Sequence, residues 1–257
     1  MFGNCGGLDK GDLKYSLQFT RASSEYMSKA LTTPTDNKKF SVSFWIQRTG
    51  TGTTQGIYTN AVDGIFFNAS DQLDFYLYDI DVGTTGRITT TATYTSTSSV
   101  YHVLCVCDTT SATTTITGSS TDRVRVYVDG VQISSFSASS VPLQNSIPML
   151  DRSAITNELG RFDTYTNYFL DAKLSRFVFI DGQALDPSAF GRYNASGQWV
   201  TKTVSEIAAL ASGTGANNVM LEFNDNSSAS ALGNDNSTKN NDYTVFSLST
   251  SDRSINY

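Results

Sequence analysis

The chain has 257 residues, of which 39% are hydrophobic, 12% aromatic and only 16% charged, against roughly 25% charge in an average soluble chain. The formal net charge is −6 and the longest basic run is Lys38-Lys39, so no basic stripe is available to hold nucleic-acid phosphates. No stretch approaches the ~18 consecutive apolar residues of a membrane span, and three Cys with one His are too few for a disulfide scaffold or a structural zinc site.

Residues Met1 to Lys10 carry Gly, Asn and Asp where a secretory signal has an apolar run, which predicts synthesis in the cytosol without an export signal. Period-2 alternation then dominates. It predicts strands over 15–20, 40–48, 55–60, 64–68, 72–79, 87–94, 99–107 and 122–129. Further strands are predicted over 131–133, 157–162, 172–180, 218–223 and 243–248. Phe40, Val42, Phe44 and Ile46 share one face of their segment, with Ser41, Ser43, Trp45 and Gln47 on the other. Tyr101, Val103, Cys105 and Cys107 oppose His102, Leu104 and Val106 in the same way. Val124, Val126 and Val128 run into Asp129-Gly130, then Val131 and Ile133, a hairpin signal because Gly tolerates positive φ. The Ser/Thr-rich tract 109–121 reads as a long exposed loop.

Helix is scarce. Asp186 as N-cap and Pro187 at the first helical position predict one short turn. Residues 204–211, with Ile207 and Leu210 on one side, predict the other helix. The tail from 224 to 241 is rich in Asn, Asp and Ser, and apolar residues return at Tyr243, Val245, Phe246 and Leu248, so the terminus is expected to dock back. Polarity carried by Ser, Thr, Asn and Gly disfavours a helical bundle. The fold class is all-β, an antiparallel two-sheet sandwich or jelly roll. An arm over 1–12, a sandwich over 13–190 and an extension over 191–257 divide the chain, the extension packing on the sandwich or on a neighbouring subunit.

Several stretches carry a family resemblance. Leu17 to Ser28 resembles the opening strand pair of laminin-G-like, concanavalin-A-like domains. Phe40 to Arg48, with Trp45, resembles their next strand, and Val124 to Gly130 resembles a hairpin late in the sandwich. Phe179 to Gly191, Gly197 to Trp199, Val219 to Ser228, Leu232 to Ser237 and Asn240 to Tyr243 follow in a succession that looks like laminin-G-like structural proteins of bacteriophages, marine ones in particular. Tyr243 stands where that group usually has Trp. The resemblance implies a concanavalin-A-like jelly roll with a short C-terminal extension. It implies a non-enzymatic virion structural protein, either a fibre or tail component or one that decorates the capsid. Its partners would be other virion proteins, further copies of itself, such as a trimer, and a host-surface polysaccharide. A lectin outside a virion and a polysaccharide-degrading enzyme are the rival classes.

Candidate chemistry is sparse. A glycosidase needs paired carboxylates across the scissile bond, and glucanases of this type carry them in a Glu-x-Asp-x(x)-Glu run that this sequence lacks. Asp79 and Asp81 come nearest, on one face by parity but with no Glu. A Ser-His-Asp or Cys-His device would have to use His102, whose neighbouring Cys side chains point away. His102 is therefore expected to be a strand His with a satisfied hydrogen bond. Cys105 and Cys107 are expected to be small core residues.

No cofactor is required. The resemblance implies calcium at a loop rim, for which Asp63, Asp79, Asp81 and Asp151 are the candidate hard-oxygen ligands; Asp63-Gly64 also reads as plain turn chemistry. Sugar binding would use aromatic rings that stack on the apolar side of a pyranose, with Tyr76, Tyr78, Tyr165, Tyr168 and Trp199 as candidates. Phe2, Tyr243, Phe246 and Tyr257 are the candidate anchors to another virion chain. The competing expectation is a tail that covers an edge of its own sheet.

Overall fold

The computed structural model describes residues 10–162 and 168–255. Two eight-stranded sheets face each other, and every pairing in them is antiparallel. The first runs β10 (Val131–Gln132), β9 (Val124–Val128), β8 (Tyr101–Asp108), β3 (Lys39–Arg48), β13 (Ala172–Asp181), β1 (Tyr15–Phe19) and β18 (Arg253–Ile255), with β16 (Val219–Leu221) also on β13. The second runs β11 (Phe136–Ser140), β7 (Thr84–Thr93), β6 (Gln72–Asp79), β5 (Gly64–Phe67), β4 (Gln55–Thr59), β12 (Thr156–Leu159), β2 (Tyr26–Ala30) and β17 (Thr244–Phe246). A ribbon of β14 (Gly191–Tyr193) and β15 (Trp199–Thr201) and the helix α1 (Val204–Ala211) complete it.

Alternation decides what is buried. Phe40, Val42, Phe44 and Ile46 of β3 and Cys105 and Cys107 of β8 turn inward against Ile65, Phe67, Leu73, Phe75, Leu77 and Ile88 of the second sheet. The rings of Phe40 and Phe75 meet edge-on across the sheets at 6.3 Å. The opposite face of the first sheet is covered too. Leu104, Val106, Val178, Ile180 and Met220 are buried beneath Phe190, Ile207 and Ala211, contributed by the chain that follows β13. Thr203 and Glu206 form a capping box that starts α1 over this face. The predicted turn after Asp186 is a short 3-10 segment, Pro187–Ala189, although the Asp186 side chain makes no cap bond.

One irregularity lets β13 serve two neighbours. Its register shifts between Ser175 and Val178, where Arg176 takes φ 44°. Before the shift β13 pairs with β1, and after it with β16. Arg176 is held there by Glu222, at 2.8 and 2.7 Å, and by the Asp12 carbonyl at 2.8 Å.

The segment beyond residue 190 is not an appendage. It supplies β16 and β18 to one sheet and β17 to the other, and Tyr243 and Leu248 enter the main core. Among the described residues no helix is long and apolar enough to cross a membrane. The outer face of β4 to β7 bears half-exposed aromatic side chains instead of a covering layer.

Candidate functional site

The parity that sends Leu73, Phe75 and Leu77 of β6 inward sends Asp74, Tyr76 and Tyr78 outward. Phe66 of β5 and Arg87 and Thr89 of β7 share that outer face. Register brings them together, because Tyr76 lies opposite both Gly64 and Arg87 and Phe66 lies opposite Asp74. A wall rises where the chain after β12 crosses β4 at Gly56. A Cβ there would meet the backbone of Arg161 and Phe162 at 2.5 Å, so only glycine admits the crossing. The Gly56 N–H donates to the Tyr168 carbonyl at 2.9 Å, and the Phe162 N–H reaches the same carbonyl at 3.3 Å. Phe162 then meets Phe66 edge-on at 5.5 Å. The result is an open groove of about 760 Å³ lined by Thr54, Ala61, Val62, Phe66, Tyr76, Tyr78, Arg87, Phe162 and Tyr168.

The groove has one charged side chain, and that one is paired. Arg87 Nε and Nη2 donate to the two oxygens of Asp74 at 3.0 and 2.5 Å. Thr89 Oγ1 donates to the same carboxylate at 3.0 Å. Asp74 is fully buried, whereas the Arg87 side chain is 40% exposed. The bond to Asp74 pushes the Arg87 guanidinium pKa up. Partial burial, and then the negative Asp63, push the Tyr76 phenol up. Tyr76 and Arg87 therefore both stay protonated and act as donors at neutral pH. The groove offers flat apolar rings and fixed polar hydrogens, the set that recognises a ring with one C–H face and a hydroxyl rim.

Three of the five tyrosines and tryptophans expected to meet sugar are assembled here: Tyr76, Tyr78 and Tyr168. Tyr165 lies outside the described residues. Trp199 is a correction, since it is buried and donates from Nε1 to His102 Nδ1 at 3.0 Å. That bond fixes the imidazole so that Nε2 carries the proton and donates to Ser43 Oγ at 2.9 Å. Ser43 thus accepts from His102 and is not activated by it. Burial, with Lys10 adding, pushes His102 down to about 3. The satisfied strand His expected from sequence is present, and Cys105 and Cys107 are free and buried. Phe66, Phe162, Arg87 and Asp74 were not singled out by sequence; the alternation over 64–68 and 72–79 carried that signal for Phe66 and Asp74.

The calcium candidates do not converge. Asp63 is buried and accepts the N–H groups of Tyr78 and Leu150 at 2.8 and 3.0 Å. Asp79 is buried and accepts those of Asp81 and Ile147 at 2.9 and 2.7 Å. β6 ends at Asp79, so Asp81 leaves the face it was expected to share and pairs with Arg152 at 2.5 Å. Asp151 is buried by itself. Asp63, Asp79 and Asp81 fasten the segment 147–152 to the second sheet and the turn after it. No group of three or more His, Cys, Asp or Glu side chains able to hold a metal occurs among the described residues. This donor set does not fit a calcium site.

The candidate assembly residues divide as well. Tyr243 is buried and meets Phe177 edge-on at 6.4 Å, so as an anchor for another chain it is corrected to a core residue. Phe246 is 37% exposed and stacks on Tyr26 at 4.4 Å. Phe2 and Tyr257 lie outside the described residues.

The family described as the concanavalin A-like lectin/glucanases superfamily, of the laminin G type, matches residues 22–188. The chain belongs to this family. No curated protein sequence matches it. A putative carbohydrate binding protein from Bacteroides ovatus is similar in structure, with a TM-score of 0.51 at 14% identity over 91% of this chain and 58% of that one. The heptameric SAP-like pentraxin of Limulus polyphemus gives 0.45 at 14% identity over 67% and 78%. Domains LG4-5 of the mouse laminin alpha1 chain give 0.44 at 14% identity over 71% and 46%. At 14% identity the likeness to the Bacteroides ovatus protein describes the fold alone.

Proposed function

We propose that the chain is a non-enzymatic carbohydrate-binding domain and that it holds a saccharide in the groove on the outer face of β4 to β7. The observation that carries this reading is the gathering of Tyr76, Tyr78, Tyr168 and Phe66 around the anchored Arg87 guanidinium in one open groove. Membership of a lectin and glucanase superfamily supports it, as does the fold shared with the putative carbohydrate binding protein from Bacteroides ovatus. The non-enzymatic part rests on the carboxylates. Among the described residues the acid beside the groove is Asp74, which is fully buried and occupied by Arg87 and Thr89. A glycosidase would need two acids facing the scissile bond.

Tyr76→Ala and Tyr78→Ala are each expected to weaken binding of a cognate oligosaccharide by about tenfold, the effect of losing one stacked ring worth ~1 kcal/mol beyond its buried area. Titration calorimetry against a panel of oligosaccharides reads this directly. Equal affinities for wild type and both variants would remove the groove from consideration. Release of reducing ends by the purified protein would replace the binding reading with an enzymatic one.

The finer reading is that this domain belongs to a phage particle, as a fibre, tail or capsid-decorating component that joins other virion proteins. It is supported by the succession of motifs from Phe179 to Tyr243 in the sequence. Density for this chain in an electron-microscopy map of such a particle is the expected outcome, and its absence from purified particles would end that reading.

A further inference from the structure

We infer that the groove selects uncharged saccharides and excludes acidic ones, and that the pair Asp74–Arg87 sets this choice. The inference rests on the carbohydrate-binding reading above. A sugar carboxylate entering a half-buried groove loses hydration and needs a cation free to receive it. Arg87 is the cation that lines the groove, and two of the N–H groups of its fork already meet Asp74. Asp74 lies at the base of the pair with no exposed side chain, so its charge is poorly screened. An incoming carboxylate at Arg87 would share the guanidinium with that acid and be repelled by it.

Arg161, the cation beside Phe162, is engaged by Glu158 at 2.7 Å and lies over the Tyr26 ring, and it does not line the groove. The wall at Thr54, Ala61 and Val62 is uncharged. Three N–H groups of Arg87 remain, one on Nη2 and two on Nη1, and Nη1 makes no hydrogen bond among the described residues. A neutral pair with N–H groups to spare is suited to a hydroxyl oxygen, as the phenols of Tyr76 and Tyr78 are. Asp74 thus acts through Arg87 as a positioning residue, holding the fork flat on the sheet and cancelling its charge.

The test uses wild-type protein and short neutral oligosaccharides of glucose, mannose and galactose, set against oligogalacturonate of the same length. Calorimetry is run at low and high salt. The expected result is binding of at least one neutral series, with little salt dependence, and oligogalacturonate weaker by about tenfold or more. Asp74→Asn keeps the shape of the side chain and releases the charge of Arg87, so it should narrow that gap and make acidic binding salt-dependent. If wild type binds oligogalacturonate as well as or better than every neutral series, the inference is wrong while the carbohydrate reading stands. If neither charge class binds, both fall together. Because Asp74 is buried, a failure of Asp74→Asn to fold leaves the wild-type ratio to decide.

Discussion

Asp151 is the residue whose chemistry is least accommodated by its surroundings. It is fully buried, and neither carboxylate oxygen has a hydrogen-bond partner among the described residues. Burial pushes its pKa well above the ordinary 3.8, with the negative Asp181 and Asp36 adding to the effect. The folded state therefore holds the proton more tightly than the unfolded chain does. The group imposes no penalty below the unfolded value, and its cost grows as pH rises from there towards the folded pKa. His102 works at the other end. Its folded pKa is lowered from 6.5 to about 3, so stability falls as pH drops from 6.5 towards that value. Asp151→Asn removes an ionisation without changing shape. It should stabilise the protein at neutral pH by ~1–3 kcal/mol, and the gain should vanish in acid. Urea denaturation midpoints across pH check this. A variant less stable than wild type at pH 7 would mean that the carboxylate has a charged partner in solution.

At the scale of elements, the groove depends on a crossing. The chain after β12 lies against β4 with no room for a side chain, since a Cβ on Gly56 would sit 2.5 Å from main-chain atoms that cannot rotate away. Gly56→Ala should push the 160–162 segment outward and shift Phe162 and Tyr168 together. The expected outcome is a stability loss of ~1–3 kcal/mol and weaker saccharide binding, with β5 to β7 unchanged in amide chemical shifts. Unaltered binding would show that Phe162 and Tyr168 are not part of the site. This crossing marks the limit of what the sequence discloses. Strands β3 to β9 were legible because their inward residues alternate over five or more positions or are bounded by turns such as Asp129-Gly130. Tyr76 and Tyr78 followed from the same parity. Phe162 and Arg87 did not, because their place in the groove comes from a long-range crossing and from cross-strand register, neither of which leaves a local pattern. β11, β14, β15 and β18 were missed: three of them have three residues and Phe136–Ser140 has one large apolar residue, so none shows a period, whereas the equally short β16 and β17 lie inside longer apolar stretches, 218–223 and 243–248. Trp199 misled for a related reason: an aromatic beside Gly197 reads as a loop tip, while its ring is drawn inside by the buried His102.

The whole molecule closes its core only with its last residues. Two expectations competed for the tail, an arm held by a neighbouring chain and a cover for the edge of its own sheet. β17 pairs with β2 and β18 with β1, so the tail occupies an edge of each sheet and leaves fewer unpaired backbone groups for other chains. It also fills the interior. Leu232, Tyr243 and Leu248 belong to the same core as Phe177 and Tyr58. Tyr58 Oη accepts from Asn157 at 2.9 Å within this core. Removing these groups would leave a cavity in the core. Tyr243→Ala alone should cost ~3–5 kcal/mol, as for other buried aromatic truncations, which is a large fraction of the ~5–15 kcal/mol that holds a typical domain together. A chain ending at Asn224 loses that side chain, both edge strands and two further core residues at once. It should be insoluble or fail to show a cooperative melt, whatever its role in an assembly. A truncated chain that melts cooperatively near the wild-type temperature would show instead that the sandwich is complete without its tail. Phe246, exposed and stacked on Tyr26, would then become the first place to look for a partner chain.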